Sequence, residues 1–213
     1  RYHHDWDNMG QRQTDSGSLD FQDVILEQAE VLTTPGPLGS PFASLRLCSA
    51  QLVLGNVFLG IAQGALETAR DYTRTQRRAW PASGVASASE DPYVLVRYGD
   101  LGLAVESARL LAEAAGQALD AAWNKKEDAT AEDRGQAALA IAATKVATTR
   151  ASLDVSSGIF DVMGARSTTA RARLDRFFRN ARTHTLHDPV DYKVRELGEW
   201  ELSRKLPTPS FYS

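Results

Sequence analysis

Two histidines lie three residues apart near the end of the chain, in the segment 183–189, which reads THTLHDP. Imidazole gains and loses a proton near neutral pH, so His184 and His187 are candidates for proton transfer in catalysis. Two alternatives stay open: a structural pair hydrogen-bonded at a helix junction, and a metal site. The only further metal ligand nearby is Asp188, which we expect to cap a helix in front of the proline. We therefore predict that no metal is bound.

Arginines are concentrated just before these histidines and at a second point, Arg74, Arg77 and Arg78. Most of them are interpreted as a solvated face. Because the chain carries a net charge of −3, we do not expect it to bind nucleic acid. Arg166 differs, since it follows a glycine turn and precedes three hydroxyl side chains, at 167–169. That combination favours a small phosphate ligand.

Other residues give weaker indications. Trp6 is either a packed tryptophan or the wall of a ligand pocket, and the sequence favours neither. Cys48 is the sole cysteine, which excludes an intrachain disulfide, and we expect it in an apolar core. His3 and His4 are interpreted as terminal residues without a catalytic role. We find no run of eighteen apolar residues and no signal peptide, and predict a cytoplasmic protein that does not span a membrane.

The elements that must position these residues are mainly helical. Alternating apolar residues predict a strand over 19–26, and the prolines and glycines of 33–41 predict a linker. From residue 40 onward the composition becomes alanine-rich and the pattern helical, with helices over about 41–79, 91–125 and 131–163. The region 168–203 is predicted to hold a shorter helix, a break near 183–188 and a final helix.

Helix starts are marked by capping residues. Ser40, Asp91 and Asp188 each precede a proline, and Thr130 with Asp133 resembles a capping box. The first helix is apolar almost all round over 52–66, so we expect it to be the central one. Such long helices predict a mainly α protein built as a four-helix bundle. Two or so short strands in residues 1–39 would not be stable alone, because a sheet needs further partner strands and a face to bury.

Four segments resemble one family: 5–18, 72–76, 90–93 and 182–190. They are similar to flavin monooxygenases with the acyl-CoA dehydrogenase fold, and among these to the dibenzothiophene monooxygenases. The resemblance implies that the chain is the C-terminal half of a subunit, in which residues 1–39 are the end of a middle β-domain plus a linker. It implies that residues 40–213 are the C-terminal four-helix bundle, through which the subunits form a homotetramer.

The resemblance also implies a reaction. Reduced FMN, supplied by a separate flavin reductase, would react with molecular oxygen to form a C4a-hydroperoxyflavin. This species would oxidise the sulfur of dibenzothiophene-type heterocycles to the sulfoxide and then the sulfone. The alternatives are a related flavin monooxygenase acting on a small sulfone, an indole or an amine, and an acyl-CoA dehydrogenase-like oxidoreductase. A further alternative is that this chain alone is a non-catalytic oligomerisation bundle.

Two departures from the dehydrogenases favour the monooxygenase. Where those enzymes commonly carry a glutamate base, this sequence has 186–188, LHD. Where they carry a Gln-x-x-Gly-Gly segment that meets the adenosine part of FAD, this sequence has 161–166, DVMGAR. The arginine at the end of this segment, Arg166, suits the terminal phosphate of FMN. The flavin monooxygenases therefore remain the better match, with FMN preferred over FAD.

The resemblance assigns roles to eight residues. His184 and His187 would lie near the isoalloxazine, with His187 the better catalytic candidate. Arg78 and Arg166 would bind the flavin phosphate, and Ser167 and Thr168 would lie beside it. Ser16 would line the flavin site, and Trp6 would line the flavin or substrate pocket.

Overall fold

The computed structural model describes residues 1–31 and 36–212, which form five α-helices. Their bounds are α1 Pro41–Thr75, α2 Pro92–Trp123, α3 Ala131–Met163, α4 Asp175–His184 and α5 Asp191–Ser203. Both α1 and α2 pack along α3 and against each other, and α4 and α5 pack against α3. The mainly α bundle predicted from the sequence is confirmed.

The capping residues start three of the helices as predicted. The Ser40 side chain accepts a hydrogen bond from the amide of Ala43 at 3.0 Å, and Asp91 accepts one from Tyr93 at 2.9 Å. Thr130 and its partner three residues later form a reciprocal capping box, which fixes the start of α3 at the predicted residue.

The prediction that Asp188 caps a helix is wrong. The last helix begins at Asp191, after Val190, which provides no side-chain cap. Asp188 is instead buried and forms an ion pair with Lys145 of α3 at 2.8 Å. Leaving a buried ammonium without its carboxylate costs about 3–5 kcal/mol, whereas a missing helix cap costs about 0.5–2 kcal/mol, which explains the preference.

The central helix is α3, and the prediction that α1 is central is wrong. α1 leaves Val53 and Val57 exposed, whereas α3 is buried on most sides. The burial of α3 is not evident from the sequence, because its buried hydroxyl residues look like surface residues. Their hydroxyls bond back to their own helix: Thr148 Oγ1 donates to the carbonyl of Thr144 at 2.8 Å. Their size lets α1 approach closely, so that a Cβ at Gly55 would lie 3.2 Å from the Thr144 methyl.

No strand is formed between 19 and 26, and extended pairing within the described ranges is limited to isolated bridges, Tyr2 with Leu19 and Arg78 with Ser87. Val24, Ile25 and Leu26 are exposed. A single strand without partners cannot satisfy its backbone groups, which accounts for the difference. Part of the predicted linker, residues 32–35, lies outside the described residues. The boundary between residues 39 and 40 stays a prediction.

One helix meets the length and composition requirements of a membrane span. In α1 an 18-residue window has a mean hydropathy of 1.5, and 39% of it is buried within the protein. The absence of a membrane span stays a prediction. The core helix of a soluble bundle meets the same requirements, so one such helix is weak evidence for a membrane.

Candidate active site

A cavity of about 510 Å³ lies between the N-terminal segment and the end of α4. Its walls contain four of the residues singled out from the sequence: Trp6, Ser16, His184 and His187. The side chains of Met9 and Leu186 give the lining an apolar part. The structure thus brings an indole, two imidazoles and a hydroxyl from opposite ends of the chain to one cavity.

The N-terminal segment reaches this place because it docks on α4. Gly10 is buried there, and a Cβ at this position would lie 2.0 Å from the carbonyl oxygen of Arg179, so only glycine allows the approach. The backbone amide of Gln11 donates to Asn180 Oδ1 at 2.9 Å. Trp6 is then held by its own indole, which donates to the Gln11 carbonyl at 2.9 Å. The wall formed by Trp6 is therefore fixed to the bundle.

His184 has a partly dry environment. Its ring meets Phe58 edge-on, with the two ring centroids 5.3 Å apart, and its Nδ1 is buried without a hydrogen-bond partner in the described structure. Burial lowers the pKa of His184 below its ordinary value, and the positive charges of His187 and Lys145 act in the same direction. His184 therefore stays neutral near neutral pH and presents an uncharged imidazole to the cavity.

His187 is more exposed, with 56% of its side chain accessible. Its ring lies 6.4 Å from that of His184, and its Nδ1 is 3.2 Å from Asp188 Oδ1. The same carboxylate oxygen accepts a hydrogen bond from Lys145 Nζ at 2.8 Å. Burial tends to raise the pKa of Asp188, but hydrogen bonds and charge from Lys145 and His187 outweigh it and hold that pKa below its usual range.

Sequence reasoning missed Lys145 and its second partner, Gln51, whose Oε1 accepts a hydrogen bond from the ammonium at 2.8 Å. The two residues lie on α3 and α1, far apart in sequence from Asp188. The one available signal was a single lysine in a stretch of α3, residues 137–149, that otherwise contains only small and apolar residues. A charge in such a position has to be paired.

A second cavity, of about 250 Å³, contains the two predicted phosphate ligands. Arg78 follows the end of α1, and Arg166 follows the turn that ends α3 at Gly164, whose φ of +79° favours glycine. Neither guanidinium forms a hydrogen bond or ion pair with any residue in the ranges 1–31 and 36–212. The neighbouring Arg77 is occupied, because it donates to the carbonyls of Asp161 and Val162 at the end of α3.

Ser167 and Thr168 do not line either cavity. Their hydroxyls donate to the carbonyls of Gly164 and Ala165, each at 2.7 Å, and so shape the turn that carries Arg166. The two cavities have no lining residue in common. Within the described part of the chain, no three His, Cys, Asp or Glu side chains are placed to hold a metal ion.

Comparison with known proteins identifies the family. Residues 52–192 match the family described as acyl-CoA dehydrogenase, C-terminal domain. The chain belongs to this family. The match spans most of α1, all of α2, α3 and α4, and the start of α5. It includes both histidines and both arginines of the candidate site.

Three relatives are informative. A probable FMNH2-dependent monooxygenase, SfnC of Pseudomonas putida, is 56% identical over 99% of this chain and 53% of its own length. The structure of methanesulfinate monooxygenase from Pseudomonas fluorescens superposes with a TM-score of 0.96 at 55% identity, over 99% of this chain and 55% of that one. TdsC, a dibenzothiophene monooxygenase from Paenibacillus sp. A11-2, in complex with FMN and indole, gives a TM-score of 0.92 at 42% identity over the same shares.

The chain spans about half the length of the curated relatives it matches. Both cavities described above are lined by residues of that half.

Proposed function

We propose that the complete protein is a two-component, FMNH2-dependent monooxygenase that oxidises the sulfur atom of a dibenzothiophene-type heterocycle. The observation that carries the proposal is the cavity in which Trp6 faces His184 and His187. It combines an aromatic wall, which suits a flat apolar substrate, with imidazoles that can manage a proton. The names of the relatives supply the flavin and the substrate class.

The residues fit FMN. An orthophosphate monoester needs cations that are not already neutralised, and Arg78 and Arg166 are free of other partners in the described structure. The turn at Gly164 adds backbone close to the phosphate, shaped by Ser167 and Thr168. Ser16 would line the ring site. Because the two cavities are separate in one chain, we propose that phosphate and ring contacts to one flavin come from neighbouring subunits.

When bound, reduced FMN supplies the activation of molecular oxygen and the transfer of one oxygen atom. The residues of this chain have three tasks. His187, whose Nδ1 is bonded to Asp188, holds or delivers a proton at Nε2. His184 stays neutral and adds a polar contact without bringing a charge into the site. Trp6 and Leu186 keep water away from the reacting atoms.

An acyl-CoA dehydrogenase activity is less well supported. Removing the α-proton of a thioester requires a free carboxylate. Asp188 is the carboxylate nearest the histidines, and it is buried and bonded to Lys145. A carboxylate in that position is a poor base, because losing its ionised form would leave the ammonium unpaired.

A second candidate is the oxidation of a small sulfinate or sulfone. The observation that favours it is the greater similarity, 55–56% identity, to a methanesulfinate monooxygenase and to SfnC than to the dibenzothiophene monooxygenases, at 42–46%. For a sulfinate, whose sulfur keeps a lone pair as a sulfide sulfur does, the reaction type and the roles of the residues are the same.

The proposed partners are a flavin reductase and further copies of the chain. Exposed apolar residues repeat at seven-residue spacing on α2, at Val96, Leu103 and Leu110, and Val53 and Val57 of α1 are exposed as well. Such a stripe suits helix packing between subunits, and we propose a homotetramer in the cytoplasm. Sedimentation equilibrium of the complete protein tests this, and a monomer at micromolar concentration would contradict it.

The experiment that tests the function is a turnover assay of the complete protein with a flavin reductase, NADH, FMN and oxygen. We expect conversion of dibenzothiophene to its sulfoxide and sulfone, detected by mass spectrometry. Methanesulfinate and indole are run in parallel to rank substrates, and a saturated acyl-CoA is run with an artificial electron acceptor. Dehydrogenation of the acyl-CoA without oxygenation of any other substrate would refute the proposal.

A further inference from the structure

Lys145 is a charged residue in the interior of the bundle. Its side chain is 2% exposed and comes from the middle of α3, the central helix. Its ammonium donates to Asp188 Oδ1 and to Gln51 Oε1, each at 2.8 Å, and lies 5.7 Å from the centroid of the Phe58 ring. A bundle of this composition could hold methionine or leucine there at less cost, because burying an ammonium requires a large desolvation energy. The geometry of its partners suggests what the lysine provides.

Both His187 and Lys145 bond the same oxygen atom, Asp188 Oδ1. A carboxylate accepts hydrogen bonds and donates none, so the Nδ1 of a neutral His187 has to carry the hydrogen in this contact. The proton-accepting nitrogen is then Nε2. This holds only while Asp188 is ionised, and a buried carboxylate is ionised when a cation is bonded to it.

We propose that Lys145 is a positioning residue for His187: by keeping Asp188 ionised and fixed, it sets the imidazole to the Nδ1–H tautomer and leaves Nε2 for proton transfer. The role in catalysis rests on the proposed function, whereas the tautomer is a property of the protein itself. Lys145 reaches His187 only through Asp188. The lowered pKa of Asp188 agrees with this arrangement.

The charged groups around this chain of contacts are few. His184 lies on one side of His187, and its own pKa is lowered by burial. On α5, Lys193 lines the same side of the protein as Asp188, but its ammonium is bonded to Glu196 at 2.9 Å. Lys193 is also buried, with 6% of its side chain exposed against 2% for Lys145, and provides a matched control: a buried lysine whose carboxylate partner forms no hydrogen bond with His187 in the described structure.

The test measures the tautomer directly. The complete protein is labelled with ¹⁵N-histidine, and the NMR chemical shifts of the His187 ring nitrogens are recorded without flavin. The pH is set well above the ordinary histidine pKa of about 6.5. In the wild type we expect the Nδ1–H form to be the major one. In Lys145→Met, Asp188 takes up a proton and no longer requires the hydrogen on Nδ1, so the Nδ1–H form becomes minor. In Lys193→Met the tautomer stays as in the wild type.

An unchanged tautomer in Lys145→Met would overturn the inference, as would an equal change in Lys193→Met. If Lys145→Met does not fold, Lys145→Gln replaces it, since the amide keeps a hydrogen bond to Asp188 but not the charge. The same two outcomes then decide.

Turnover separates this inference from the proposed function. With a substrate and reduced FMN, we expect Lys145→Met to lower kcat by up to about 100-fold, the smaller end of what a positioned acid or base contributes, with little change in the Kd for FMN. A changed tautomer with normal turnover would support the positioning of His187 and contradict its catalytic role. An unchanged tautomer would overturn the positioning role while leaving the monooxygenase proposal intact.

Discussion

Replacing His187 by phenylalanine in the complete protein is expected to lower turnover about 100-fold or more, because a positioned proton donor or acceptor contributes about 10² to 10⁴ in rate. Phenylalanine keeps a ring of similar size in the cavity wall and removes both nitrogens. The side chain is more than half exposed, so its loss should cost little stability. The measurement is kcat for sulfoxide formation with reduced FMN supplied by the reductase.

The matched control is His3→Phe. His3 also forms an imidazole–carboxylate pair, with Asp20 at 2.8 Å, but lines neither cavity. The His3→Phe variant should retain wild-type turnover. Near-normal turnover in His187→Phe, with unchanged FMN affinity, would rule out the role assigned to this histidine.

Removing either of the two arginines that we propose bind the phosphate, in Arg78→Ala or Arg166→Ala, is expected to weaken FMN binding by about 10- to 100-fold. The reason is that a hydrogen bond to a charged group contributes about 1.5–3 kcal/mol, and 1.4 kcal/mol corresponds to a factor of ten in Kd. Because both guanidinium groups lack partners in the described structure, the substitutions leave no other group unpaired and should not unfold the bundle. Fluorescence titration with FMN measures the change.

Riboflavin provides the sharpest control for this prediction, since it has the same ring system without the phosphate. Its affinity should be the same in the wild type and in both variants. Arg204→Ala, which removes a surface arginine that pairs only loosely with Glu201 at 3.8 Å, should leave both affinities unchanged. Equal losses of riboflavin and FMN binding would show that the arginines do not bind the phosphate.

Local signals in the sequence were sufficient to predict the helices. Ser40, Asp91 and Thr130 each satisfy backbone amides within three residues, and this determines where α1, α2 and α3 begin. The same reasoning failed for Asp188, because its partner Lys145 is 43 residues away on another helix. Capping is a local interaction, whereas an ion pair across the core depends on which helix faces are brought together.

The candidate site was predictable in parts for the same reason. The histidine segment and the turn around Arg166 are local motifs, and the resemblance to a family assigned roles to them. The docking of Gly10 on α4 depends on contacts across 170 residues, for example Arg179 Nη1 donating to the Met9 carbonyl at 2.6 Å. The strand predicted over 19–26 illustrates the reverse case, since a correct apolar alternation forms no sheet when the described residues offer no partner strand.

The source of the oxygen atom in the product shows whether the complete protein is a monooxygenase. The complete protein is supplied with reduced FMN, ¹⁸O₂ and dibenzothiophene in unlabelled water, and the products are analysed by mass spectrometry, with methanesulfinate as the parallel substrate. We expect one ¹⁸O atom in the product for each oxidation step, and a strong reduction of labelled product in His187→Phe. Product that carries oxygen from water, or flavin oxidation that yields only hydrogen peroxide with both substrates, would contradict it.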